Sequence, residues 1–475
     1  MQSYFTETLN DDGLLTVALA DPSGPVNRTT DRFKAELSAL LDRLEAAPVR
    51  GVIFLSDRPT FGVGGDVDQI AALAATGPAG IFADSQRIKA LFRRIERLGL
   101  PVVSLIEGLA VGGHFELALA SHACFARDDD AIRLGFPECA VGLIPGAGGL
   151  VRCVHRLGLE ASIPLIVEAR LIPPARAAEL GLITGLGPDR AALLAAARDW
   201  IAAHPAPHQP WDRKGHRVPG GGLFDRRDRY LSLQAKTAGL IATGGGRPCA
   251  ERTALSGICE VAACGFADGE VIESRLFARQ AISAEAEARI GLRLKDRSVL
   301  KRSGQALDQD LLQRLRQSLR DEAAALRARG LSAARIGKAA RQAGYDPEVL
   351  DLAPDTATAR PDAATLDLAE IGDRLLTAQS LPVLRDLVAG RLHSAALANS
   401  GPVNAAGFPA WTGGPLRWIT ARGPAAVLAQ CRQWAAEASP GADHFTPPFA
   451  TAAALQAALD RARDFDTEPE TEQRG

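Results

Sequence analysis

The chain has 475 residues, enough for two or three domains with sizeable cores, and its 47% hydrophobic and 23% charged residues are a globular composition that excludes bulk disorder. A formal net charge of −2 leaves no basic field of the kind that holds nucleic acid, so no nucleic-acid partner is expected. Seven scattered Cys without a C-x-x-C pair suggest neither a disulfide framework nor a zinc site, and no run of 18 uncharged apolar residues marks a membrane span, so a cytoplasmic protein with no metal and no membrane contact is expected.

Met1 to Thr8 lacks the basic and then apolar pattern of a secretory leader. From there to about Gly187, short β-branched runs such as Gly51 to Leu55 and Val102 to Ile106 alternate with helical stretches such as Ile81 to Leu98, which predicts an α/β layer structure. Between His204 and Gly222 the pattern gives way to a segment dense in Pro, Gly and His, which predicts an exposed connection and a boundary. Helical character resumes from Tyr230 to Leu294, and Lys295 to Gly304 reads as a charged junction. Beyond it Leu311, Leu315, Leu319 and Leu326 share one helical face, with Gly330 as a stop, so this half is expected to be all-α. A Pro/Asp/Ala/Thr linker at Asp355 to Asp362 precedes a second helical stretch, Leu366 to Leu392, which Pro382 is expected to interrupt, and Asp466 to Gly475 is expected to fray.

Two glycine-containing helix starts stand out. Phe61-Gly62-Val63-Gly64-Gly65-Asp66 and Gly112-Gly113-His114-Phe115-Glu116 each follow a predicted strand and open a helix, where backbone N–H groups lack partners. Either motif alone is ordinary turn chemistry, but if the fold joins them, the amides of Gly65 and Gly113 can converge on one carbonyl oxygen as an oxyanion hole. Glu116 and Glu138 are isolated acids in otherwise apolar stretches, which makes them a candidate acid/base pair, though each has a structural reading as well. Asp66 reads as a helix N-cap with a supporting site role as the alternative. The other histidines, including His204, His208 and His216, show no metal-ligand spacing.

Val63-Gly64-Gly65-Asp66, the run from Glu107-Gly108 through Gly112-Gly113-His114-Phe115-Glu116, and Gly135-Phe136-Pro137-Glu138 continuing to Ile144-Pro145-Gly146-Ala147-Gly148-Gly149 resemble, in that order, the enoyl-CoA hydratase (crotonase) family. Ala175 to Ile183 looks like the segment that follows in that family. The resemblance covers roughly residues 10 to 190 and implies a spiral of ββα units. Pro210-Trp211-Asp212 to Gly222 and Glu273 to Ala278 look like the linker of multifunctional fatty-acid oxidation proteins, which fuse a hydratase to a 3-hydroxyacyl-CoA dehydrogenase. Residues 305 to 350, and Gly407-Phe408-Pro409 with Gly413 to Trp418, are similar to the two helical repeats that end the dehydrogenase half. The implied organisation is a crotonase domain over 1–200, a linker and helical extension over 201–304, a helical domain over 305–437 and a tail over 438–475.

The family's nucleotide-binding domain would fall where this chain has only Lys295 to Gly304, and no G-x-G-x-x-G follows a strand, so neither NAD nor dehydrogenase activity is expected. The resemblance implies hydration of a trans-2-enoyl-CoA, with coenzyme A entering only as part of the substrate. Glu116 and Glu138 would be the acids, Gly65 and Gly113 the oxyanion donors, and Val63, Gly64, Asp66, Gly112, Pro137 and Gly146 substrate-binding positions. A Δ3-to-Δ2 isomerase and a noncatalytic acyl-CoA-binding or assembly subunit are the alternatives. The family commonly has a small residue where His114 stands; this ring either touches the acyl group or is a packed or surface His. The Arg-rich helix Gln86 to Arg97 either contacts the CoA phosphates or is a solvated face. The helical half is expected to take the place of a neighbouring subunit, giving a monomer or homodimer, with a thiolase or dehydrogenase as a possible partner.

Overall fold

The computed structural model describes residues 3–46, 49–243, 246–355, 366–437 and 442–467. The chain divides into two compact units, residues 1–237 with 249–286, and 238–248 with 287–475. This differs from the expected extension over 201–304: its helical part is divided between the units, with residues 249–286 belonging to the first.

The first unit is built around a six-stranded sheet, order β1-β2-β3-β4-β6-β8. Its strands are β1 (Phe5–Leu9), β2 (Leu14–Leu19), β3 (Gly51–Ser56), β4 (Val102–Ile106), β6 (Ala123–Arg127) and β8 (Gly185–Gly187). Only the β1–β2 pair is antiparallel. All residues of β3 and β4 are buried, as parallel strands covered on both faces must be. Alternation sets the faces: Leu14, Ala18, Ile53, Leu55, Val103 and Leu105 pack against Leu193, Ala197 and Ile201 of α8 (Arg190–Ala203).

A second, smaller layer explains how distant segments meet. Gly62 bridges Ala110 in parallel, and β5 (Ala110–Val111) pairs in parallel with β7 (Leu134–Gly135). Each of three successive chain turns thus supplies a main-sheet strand, a short strand or bridge in this layer, and then a helical segment. These segments are α2 (Val67–Ala75), α4 (Gly113–Ala120) and the 3₁₀ turn Glu138–Val141. Residues 65, 113 and 138 stand just after three neighbouring positions of one ladder. Around them lie α1 (Asp31–Ala46), α3 (Pro78–Glu96), α5 (Gly149–Leu157), α6 (Leu159–Ile166) and α7 (Pro174–Glu179). After α9 (Arg227–Thr243), which runs across the division between the units, come α10 (Ala250–Val261) and α11 (Phe266–Ala281) of the first unit.

The connection after α8 is exposed over most of its length, as expected, but it is anchored at a few points. Trp211 is buried and stacks on Phe266 with ring centroids 4.6 Å apart, Gln209 donates to the carbonyls of Ala120 and Ser121, and Asp212 accepts from Arg93 and Arg97. Composition marks Pro and Gly as breakers but does not show that the Trp between them has a cavity to fill.

The second unit is helical, with one core that includes Leu311, Leu315, Leu319 and Leu326 on the helix Gln309–Ala328. Two expectations are corrected here. The helix Leu368–Val388 runs through Pro382 without ending, because Leu375, Leu381, Val383 and Leu384 are all buried around it and packing outweighs one missing N–H. The residues read as a tail from 438 include the helix Ala452–Thr467, whose Leu455, Ala458, Leu459 and Ala462 repeat at helical spacing and are buried in the same core. The linker residues after Asp355 and the terminus after Thr467 lie outside the described residues. Among the described residues no helix is long and apolar enough to cross a membrane.

Candidate active site

The loop Phe61–Gly65 runs beside Ala110–Gly113. Val111 N donates to Gly62 O at 3.0 Å, and a β-carbon at Gly64 would lie 3.4 Å from both Gly112 Cα and Gly113 N. Only a chain without side chains allows that approach, and Gly64 and Gly112 adopt φ of +93° and +56°, which L side chains disfavour. Among the described residues, neither Gly65 N nor Gly113 N has a hydrogen-bond acceptor. Asp66 caps α2, accepting from Asp68 N and Gln69 N, and pairs with Arg28 at 2.9 Å. Thr29 N donates to Gly64 O at 2.8 Å, which fixes the same loop from the other side.

Glu116 sits in the first turn of α4, a helix whose eight residues are all buried. Its Oε1 accepts from Ala147 N at 2.9 Å and Gly149 N at 2.6 Å. Burial and the charge of Glu273 push its carboxyl up to about 7, against the two amides and Lys89, which favour the charged form. Glu138 opens the 3₁₀ turn. Its Oε1 lies where a β-carbon at Gly112 would be only 2.8 Å away, and its Oε2 is buried without a partner. Burial, then the neighbouring charge of Glu116, raises the Glu138 carboxyl well above the usual range. The amides at 147 and 149 favour a charged Glu116, whereas an unpartnered oxygen favours a protonated Glu138, so the two acids occupy different environments.

Behind Glu116 stands a residue that sequence reasoning assigned only to a linker resemblance. Glu273 of α11 is fully buried, accepts from Gly148 N at 2.7 Å and Val151 N at 3.0 Å, and pairs with Lys89 Nζ at 3.1 Å. Lys89 also donates to Ser274 Oγ and Glu270 O; burial lowers its pKa, opposed by Glu273. Two turns along α11, Gln280 donates to the carbonyl of Gly142, the residue that ends the turn carrying Glu138. Glu273 could not have been singled out as Glu116 was, because Glu270 and Arg275 flank it and no isolated acid stands in an apolar run.

Gly146, expected to touch substrate, is a packing position: the Phe277 ring lies where its β-carbon would go, 2.8 Å away, and its carbonyl accepts from Ser85 Oγ. Pro137 is the N-terminal boundary of the 3₁₀ turn, and Val63 N donates to Asn27 O. His114 is fully buried, with Nε2 3.2 Å from Tyr4 Oη and rings of Phe33 and Phe61 around it. Tyr4 donates its proton to Arg28 O, so the His114 proton belongs on Nε2, and burial lowers the ring's pKa to about 3. His114 is a neutral, fully buried core residue. The arginines of α3 and its end are ion-paired: Arg94 with Asp42 and Glu45, Arg93 and Arg97 with Asp212. Among the described residues no cluster of three or more His, Cys, Asp or Glu could hold a metal ion.

Residues 10–207 match the family model described as enoyl-CoA hydratase/isomerase. The fatty acid oxidation complex subunit alpha of Shewanella putrefaciens is 29% identical over 290 residues, 61% of this chain and 40% of that protein. Its counterpart from Idiomarina loihiensis is 32% identical over 208 residues, 43% of this chain and 29% of that protein. The chain therefore spans well under half the length of these curated relatives. Among solved structures, an enoyl-CoA hydratase from Mycobacterium smegmatis is 20% identical with a TM-score of 0.44, covering 64% of this chain and 94% of that one. One from Bacillus anthracis is 24% identical with a TM-score of 0.38, covering 42% and 76%. The ladder that gathers residues 65, 113 and 138, and the match that spans it, identify residues 10–207 as a crotonase-fold domain of the enoyl-CoA hydratase/isomerase family, followed in this chain by a large helical region.

Proposed function

We propose that the protein adds water across the trans-2 double bond of an acyl-CoA thioester. The observation that carries this reading is the pair of differently held acids beside two unpartnered amides. The thioester oxygen accepts from Gly65 N and Gly113 N, which stabilise the enolate-like charge as it develops; one such donor is worth about 3 to 4 kcal/mol. Glu116, whose charged form accepts from two amides, takes a proton from water as its oxygen attacks Cβ. Glu138, held protonated, gives its proton to Cα, and both new bonds form on one face. The cycle closes when the proton on Glu116 returns to Glu138 through solvent. No step draws on NAD, and the reading includes no dehydrogenase activity.

The raised proton affinity of Glu138 also suits a carbon-to-carbon proton shuttle, so a Δ3-to-Δ2 isomerase is the second reading. The relatives' printed name, a subunit of a complex, supports a partner subunit for this chain as well; the thiolase or dehydrogenase class of that partner and a cytoplasmic setting are proposed from the sequence alone. The test is the purified full chain with crotonyl-CoA, following loss of enoyl thioester absorbance with and without NAD, and a 3-enoyl-CoA in parallel. Hydration that needs no NAD is expected. Binding without turnover of either substrate would leave only an assembly role.

A further inference from the structure

The helix α11 lies beyond the segment that matches the family model, yet one of its faces grips the loop that holds Glu116. Along the main chain from 147 to 151, the amides serve two carboxylates in turn. Those of Ala147 and Gly149 go to Glu116, and those of Gly148 and Val151 go to Glu273. Two more contacts from the same face hold the loop. Phe277 covers Gly146, and Ser274 Oγ is 2.8 Å from Ser85 Oγ, which donates to Gly146 O at 2.6 Å. We propose that Glu273 is a positioning residue for the acid/base reaction, setting through this shared loop both the place and the basicity of Glu116. The inference rests on Glu116 being the base of the proposed hydration.

Two consequences follow from the geometry. Without the Glu273 carboxylate, Gly148 N and Val151 N lose their acceptors in a dry site, and the intervening amides at 147 and 149 lose their fixed direction. Without its charge, the balance around Glu116 changes. The charged and titratable groups that act on Glu116 are Glu273 from α11, Lys89 from α3, Arg152 from α5 and Glu138 from the 3₁₀ turn, with Glu270 acting on Lys89 and Arg152. Removing one negative charge leaves the positive ones uncompensated, so Glu116 holds its proton less tightly; removing Lys89 does the reverse.

The experiment measures kcat/KM for crotonyl-CoA against pH with the full chain, for wild type, Glu273→Gln and Lys89→Met, with circular dichroism confirming the fold of each. Gln keeps one acceptor oxygen, so Glu273→Gln is expected to fold, to lose about tenfold or more in kcat, and to move the acidic limb down by about one pH unit. Lys89→Met is expected to move that limb up. Residues that merely support the fold would not shift it in opposite directions. If Glu273→Gln does not fold, the upward shift in Lys89→Met decides alone. A limb that stays in place in the folded variants overturns the inference while leaving the hydratase reading intact. Wild-type activity in Glu116→Gln would instead overturn that reading.

Discussion

Gly112 and Glu138 are so close that a single added methyl would displace the acid: a β-carbon on Gly112 would sit 2.8 Å from Glu138 Oε1, at a φ of +56°. Gly112→Ala is therefore expected to cost about 1 to 2 kcal/mol in stability, from backbone strain, and at least about 100-fold in turnover. Chemical denaturation and the crotonyl-CoA assay separate the two effects. An active Ala variant would mean that Glu138 does not need its present place.

Glu116→Gln and Glu138→Gln are each expected to reduce turnover by about 10²- to 10⁴-fold while folding normally. Above pH 7 the variant at 116 should be the more stable protein. The wild-type carboxyl is raised to about 7 when folded, so the stability it contributes is complete below the ordinary carboxylate range and is lost as pH rises through about 7. Gln carries no such penalty. Melting temperatures at pH 6 and pH 9 check the sign.

The same groups predict the shape of the activity profile. Glu116 must be charged and Glu138 protonated, so kcat/KM should rise through about pH 7 and fall again at the higher pH where Glu138 ionises. A profile flat from pH 5 to 9 would contradict the assignment of the two roles.

His114 should matter for folding and not for chemistry. His114→Ala is expected to cost about 2 to 4 kcal/mol, because it opens a cavity among Tyr4, Phe33 and Phe61, with less than about a tenfold change in kcat. Burial keeps the folded ring neutral down to about pH 3, whereas the unfolded ring gains a proton near pH 6.5. Its contribution to stability is thus present above 6.5 and lost on acidification, at about 1.4 kcal/mol per pH unit. His114→Phe should remove that slope, measured by urea unfolding between pH 6.5 and 4.5.

Glu96 and Arg152 form an ion pair with both side chains fully buried, 2.7 Å apart, and Trp211 Nε1 approaches the other Glu96 oxygen. Glu96→Gln removes the carboxylate that pairs with both Arg152 and Arg93 in a buried site and should cost about 3 to 5 kcal/mol, read as a loss in the urea midpoint at constant slope.

The strand pattern of residues 51–55 and 102–106, the glycine motifs and the two isolated acids were legible because each departs locally from its surroundings. A Gly pair at a helix start or a lone carboxylate among Leu and Ala needs no long-range knowledge to be noticed. Glu273, Lys89 and Trp211 were not, because each is an ordinary residue in a mixed helix or loop, and only the tertiary fold shows that its charge or ring is enclosed. Pro382 and Leu455 misled for the same reason. Local propensity argued for a break at Pro382 and the domain boundary left Leu455 in a tail, whereas burial in a shared core holds both segments.

The grip of α11 bears on how the chain can be divided in the laboratory. A product ending at residue 207, where the match to the family model stops, would carry the site glycines and both acids yet strand the Lys89 ammonium, the amides of Gly148 and Val151 and the exposed side of Gly146. The smallest piece worth expressing therefore extends through Ala286, so the end of the family-model match falls short of the compact unit that encloses the acids.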